Sequence, residues 1–149
     1  MSIVKKLDAT YILVINVSED LKISVGDQLG EVFFKQGDYI YVGSASGCLV
    51  TRLQRHLRKE KNIFWHIDYL LDNQKSKILQ IWTNDTKKEC QTAELFLNDS
   101  TAEIVKKGFG SSDCKCFTHL FFVQDKKNKE RILKEIGFSI FYSFQNLYF

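Results

Sequence analysis

Proline is missing from the sequence altogether, and no run of glycine or serine stands in for it. Nothing in the composition marks a linker, and with no internal repeat the 149 residues read as one domain, 1–149. Long apolar runs are missing too. The longest, around Tyr11 to Val17 and Phe138 to Phe144, are far too short to cross a bilayer, and no signal-peptide apolar segment opens the chain. A soluble, cytoplasmic protein with no membrane partner is therefore expected. Cysteine is scarce: the four, at 48, 90, 114 and 116, form no secreted disulfide framework. Cys114 and Cys116 are too close for an ordinary bridge, and the other two are scattered. The charge surplus is slight, +3, and excludes little by itself. Its placement says more, because residues 52 to 61 hold Arg52, Arg55, Arg58, Lys59 and Lys61 against one acid, Glu60.

What is present is 44% hydrophobic residues, enough to bury one sizeable core. Tyr11 to Val17 is an apolar, β-branched run that predicts a central strand. Short strands are expected at Glu31 to Phe34 and Asp38 to Val42, with Gly37-Asp38 turning between them. From Cys48 to about Lys61, Leu49, Leu53 and Leu57 recur at helical spacing. Arg55, Arg58 and Lys59 fall on the opposite side of that wheel, and Arg52 and His56 sit on the boundary. A short helix over Phe64 to Leu71 and a strand over Ile78 to Trp82 follow. Glu89 to Leu97 reads as a helix with Cys90, Ala93 and Leu97 inward and Asp85 or Thr86 as its cap. Late strands are expected at His119 to Val123 and Phe138 to Phe144, around a charged helix from about Lys127 to Ile136. The fold class predicted is α+β: a small, mostly antiparallel sheet flanked by helices.

The segment with most chemistry is Tyr41-Val42-Gly43, followed nine residues after the glycine by Arg52 and then by His56. A strand end presents a phenol, the small residues Gly43-Ser44-Ala45-Ser46-Gly47 predict a turn where backbone approaches a phosphate, and a helix presents a guanidinium. Here the chain resembles the GIY-YIG endonuclease superfamily, and within it an archaeal-type branch found alone or fused to repair enzymes. The resemblance rests on Thr10-Tyr11-Ile12-Leu13, Tyr41-Val42-Gly43-Ser44-Ala45, Arg52-Leu53-Gln54-Arg55-His56 and Trp65-His66-Ile67-Asp68-Tyr69-Leu70. Phe109-Gly110-Ser111-Ser112-Asp113-Cys114-Lys115-Cys116 with His119-Leu120 completes it, so it covers roughly residues 9 to 123.

The resemblance implies a metal-dependent endonuclease that hydrolyses phosphodiester bonds, with DNA as the expected partner and Mg²⁺ or Mn²⁺ as the cofactor. Tyr11 and Tyr41 would stand near the attacking water, Arg52 would hold the phosphate, His56 would support Arg52 or donate to the phosphate or leaving group, and Glu89, with Glu94 as alternative, would bind the metal. Gly43, Ser44, Arg55 and Lys59 are the further phosphate-binding candidates. A free tyrosine is ionised only about one part in a thousand at pH 7, a deficit of about 4 kcal/mol, so a nearby cation is required. The superfamily's first motif begins with glycine, where this chain has Ala9, which is tolerable if φ there is negative. His66 and Asp68 form a second polar cluster or lock the core. Beside Asp113, the three soft ligands Cys114, Cys116 and His119, with Cys90 or Cys48 as a fourth, have the donor types of a zinc site. Buried cysteines more often pack as small hydrophobes, so no zinc is expected. The alternative to the enzyme is a nucleic-acid-binding module that keeps the fold without the chemistry, and a zinc-stabilised interaction domain ranks third.

Overall fold

A strand that is apolar at every position, rather than at every second one, needs cover on both faces. In the computed structural model, which describes residues 8–112 and 114–144, β1 (Asp8–Val17) receives it. Tyr11, Leu13, Ile15 and Val17 enter one buried cluster, and Ile12 and Val14 enter a second on the opposite face. A hairpin of β2 (Leu21–Ser24) and β3 (Glu31–Phe34), joined by the short α1 (Gly26–Leu29), folds over the first face. β4 (Gly37–Ser46) returns antiparallel to β1, with Tyr11 opposite Gly43 and Leu13 opposite Tyr41. Next come α2 (Leu49–Leu57), α3 (His66–Leu71), β5 (Ser76–Asn84), α4 (Glu89–Leu97) and β6 (Ala102–Ile104). The chain continues through β7 (Leu120–Val123), α5 (Lys126–Glu135) and β8 (Ser139–Ser143).

The main sheet runs β6-β7-β4-β1-β5-β8 with every neighbouring pair antiparallel, so the fold is α+β as expected. Leu53 of α2, Ile67, Leu70 and Leu71 of α3, and Phe109 seal the first face. Ala93 and Phe96 of α4 and Leu133 of α5 seal the second. Among the described residues no helix is long and apolar enough to cross a membrane.

Three expectations need correction. β4 does not stop at Val42: Gly43 to Ser46 continue the ladder opposite Tyr11 to Asp8, and the chain first leaves the sheet at Gly47. α2 ends at Leu57 because Arg58 turns extended while the Lys61 ammonium donates to the His56 and Arg58 carbonyls at the helix end. α4 is rotated from the expected face, burying Thr92, Ala93 and Phe96 while Cys90 and Leu97 face water. Neither Asp85 nor Thr86 caps it. Its first turn is held from β1, where the Thr10 hydroxyl accepts the Lys88 amide and donates to the Thr86 carbonyl.

Candidate functional site

Antiparallel pairing puts Tyr11 and Gly43 directly opposite on one face of the sheet, and the ring of Tyr11 lies across the glycine. A Cβ at position 43 would stand 2.3 Å from Tyr11 Cζ, so only glycine leaves room for the ring. This corrects the role expected of Gly43: its backbone is engaged in the sheet, and it makes space for a phenol instead of cradling a phosphate in a turn. Ala9 beside it lies in regular strand, and among the described residues no non-glycine has positive φ. The Tyr11 hydroxyl reaches His56 Nε2 of α2 in a buried 2.8 Å hydrogen bond. His56 is 2% exposed, its Nδ1 has no partner among the described residues, and burial pulls its pKa down to about 4. It is neutral at pH 7 and sealed from solvent, so it supports Tyr11 and does not itself meet a phosphate.

Burial pushes the Tyr11 phenol well above its ordinary value; Arg52 opposes this and the Glu89 carboxylate adds to it. Tyr41 is pushed up as well, by burial first, then Tyr11, Glu89 and Asp68, with Arg52 again opposing. Both phenols thus feel the Arg52 guanidinium from α2 and the Glu89 carboxylate from α4, together with Asp68 of α3. Arg52 donates to the Ser44 carbonyl and lies 4.9 Å from the centroid of the Trp65 ring. The expected contribution of Ser44 therefore becomes indirect, since its carbonyl fixes Arg52. Trp65 was not singled out in the sequence, although it stacks with Arg55 too, at 4.5 Å. A groove of about 300 Å³ opens over Arg52, Arg55, Arg58, Trp65 and Ser46.

The rest of the basic helix is largely engaged inside the protein. Arg55 makes a two-pronged ion pair with the fully buried Asp68, at 3.0 and 2.8 Å. Asp68 also accepts the Phe64 and Trp65 amides, closing the first turn of α3. Burial alone would raise its carboxyl, but the Arg55 hydrogen bonds and the two amides together hold it below the usual range. Lys59 Nζ donates to the carbonyls of Leu71, Asn73 and Ser76. Arg55 and Lys59 are thus corrected from free phosphate ligands to fasteners between α2, α3 and the approach to β5. Arg58 keeps its exposed position.

Tyr41 is walled by the Phe109-Gly110 turn. Its ring meets Phe109 edge-on at 6.5 Å, and a Cβ on Gly110, at φ +72°, would come within 2.8 Å of Tyr41 Cε1. His66 Nδ1 accepts the Gly110 amide at 2.9 Å, so His66 fixes this turn while Asp68 fixes α3. The two side chains form no joint cluster, as their separation on a helix dictates. Glu89, in the first turn of α4, keeps its side chain about one-fifth exposed, with Oε1 3.8 Å from His119 Nδ1. His119 is buried and pulled below its ordinary value by burial, with Glu89 opposing. Glu94 is also exposed on α4. Cys90, Cys114, Cys116 and His119 come together, whereas Cys48 sits apart at the start of α2. Asp113 lies outside the described residues.

An antiparallel-sheet α+β domain in which two buried tyrosines both feel Arg52 and Glu89, with a basic groove opening over Arg52, Arg55 and Arg58, defines the class of site. The chain belongs to the family described as domain of unknown function DUF123, whose model matches residues 10–140. No curated protein and no solved structure matches it.

Proposed function

We propose that the protein is a metal-dependent nucleic-acid endonuclease of the GIY-YIG type, with DNA as its partner. The observation that carries the reading is the convergence on Tyr11, whose ring rests on Gly43, whose hydroxyl bonds His56, and which feels both Arg52 and Glu89. The groups come from three elements, Gly43 from β4, Arg52 and His56 from α2 and Glu89 from α4, so packing alone does not require their meeting at one phenol.

Glu89 fits a hard divalent cation. It offers oxygen donors on a part-exposed carboxylate, and Mg²⁺ or Mn²⁺ needs only one or two such oxygens while keeping its waters. When bound there, the ion would supply Lewis-acid polarisation of the phosphate and neutralise charge in the transition state. Arg52, oriented by the Ser44 carbonyl and the Trp65 face, would hold a phosphate oxygen in the groove. Tyr11 stays a phenol at pH 7, so it would orient the attacking water through its hydroxyl, which the neutral His56 holds in place.

The test is cleavage of duplex, branched and single-stranded substrates with Mg²⁺ or Mn²⁺. Arg52→Ala is expected to lower cleavage by about 10²-fold or more, as when a preorganised donor to the transition state is lost. Glu89→Gln is expected to abolish it while leaving substrate binding nearly intact. Binding of all three substrates without cutting any would replace the enzyme with the binding module. Equal cutting by Glu89→Gln would move the metal ligand to Glu94.

A further inference from the structure

We propose that Cys90, Cys114, Cys116 and His119 bind one zinc ion, which clamps the first turn of α4 to the segment leading into β7. Their four donor atoms all lie within 4.8 Å of one another. Zinc at about 2.3 Å from sulfur and about 2.0 Å from nitrogen spaces tetrahedral ligands by about 3.3 to 3.8 Å, so the set closes on an ion with side-chain shifts of about an ångström. Three thiolates and an imidazole select a soft or borderline ion and disfavour Mg²⁺ and Ca²⁺, which take oxygen.

Two further observations point the same way. Cys114 Sγ lies 3.4 Å from His119 Nε2, so Nε2 is the nitrogen that faces the sulfurs. The other nitrogen, Nδ1, lies 3.8 Å from the Glu89 carboxylate, on the side where a metal-bound histidine commonly takes its outer support. The alternative, that these cysteines pack as small hydrophobes, describes Cys116, which is half-buried against the second core cluster, but not the exposed Cys90 or the half-buried Cys114. Among the described residues the stretch from 105 to 119 contains no helix or strand, yet it must hold Phe109 and Gly110 against Tyr41. A cross-link to α4 supplies the anchoring that secondary structure does not.

The measurement uses no nucleic acid, so it stands or falls apart from the nuclease reading. The full chain, purified under reducing conditions, is expected to carry about one zinc by elemental analysis and to melt at lower temperature after chelation. Cobalt(II) added to the stripped protein is expected to give the intense visible absorption of a tetrahedral thiolate site. Cys90→Ser, at an exposed helical position that leaves the core intact, should lose that absorption and bind zinc at least tenfold more weakly, while Cys48→Ser should match the unaltered chain. Absence of zinc with all cysteines reactive in the folded protein would overturn the site. So would a disulfide among these cysteines that forms whether or not zinc is supplied, or equal loss of zinc from Cys48→Ser and Cys90→Ser.

Discussion

Tyr11, Gly43 and His56 show how one buried hydrogen bond specifies three positions. The glycine exists for the ring, the ring carries the hydroxyl to α2, and the histidine is sealed beneath it. Sealing has a consequence with a definite sign. The imidazole titrates at about 4 in the folded protein against an ordinary value near 6.5, so between those values the unfolded chain takes up a proton the native chain refuses. Stability therefore rises with pH from about 4 to about 6.5 and falls on acidification through the same window, by up to about 3 kcal/mol. Urea unfolding at pH 7 and pH 5 should show most of that loss, and His56→Gln, which has nothing to protonate, should flatten the difference. An unchanged pH dependence in the variant would assign the acid sensitivity elsewhere. The pattern Arg52-x-x-x-His56 was legible in the sequence, but whether His56 meets solvent or a tyrosine was not. Residues on the edge of a helical wheel resolve one way or the other only when the neighbouring strand is in place.

At the level of elements, α2 and α3 are joined by charge as well as by apolar contact, through Arg55 and Asp68. Periodicity put Arg55 on the wet side of α2, and it was misleading because the wheel knows nothing of a carboxylate delivered by the next helix. The same blindness hid the two-sided role of Trp65, the rotation of α4, and the short β2, α1 and β6, whose few residues carry no measurable period. β1, α4's limits and the middles of β4 and β5 were legible from their apolar runs, whereas Gly43 to Ser46 at the end of β4 read as a turn because small residues carry no strand pattern. Arg55→Ala leaves the fully buried Asp68 with only its two amide partners, and the expected loss at neutral pH is about 3 kcal/mol. Since the folded carboxyl titrates below its ordinary value, its contribution is present above that value and vanishes as pH falls through the folded one. Unfolding free energies of the variant and the unaltered protein should therefore differ at pH 7 and converge as acid neutralises Asp68; a gap that persists once the carboxyl is protonated would mean the cost is lost packing on Trp65.

For the whole molecule, a net charge of +3 and a basic stretch at 52 to 61 suggest an extended phosphate-binding face, but the structure narrows it. Lys59 holds three carbonyls, Lys61 holds two at the end of α2, and Arg55 is paired, which makes most of this stretch a fastener for the domain. Charges already satisfied by carbonyls gain little from a phosphate that would have to displace them. Arg58, exposed beside the Arg52 groove, is the cation left to meet a backbone beyond the site itself. Under the nuclease proposal, Arg58→Gln should weaken binding of duplex DNA uniformly across sequences and reduce the log–log salt slope by about 0.9, the value of one lost phosphate contact. Lys59→Gln should instead lower the unfolding free energy and leave the slope nearly unchanged, because its ammonium is already held by three backbone carbonyls. Titrations at four or five salt concentrations separate the two, and a slope that drops for Lys59→Gln but not for Arg58→Gln would place the nucleic acid on the α3 side of the helix, away from Tyr11 and Arg52.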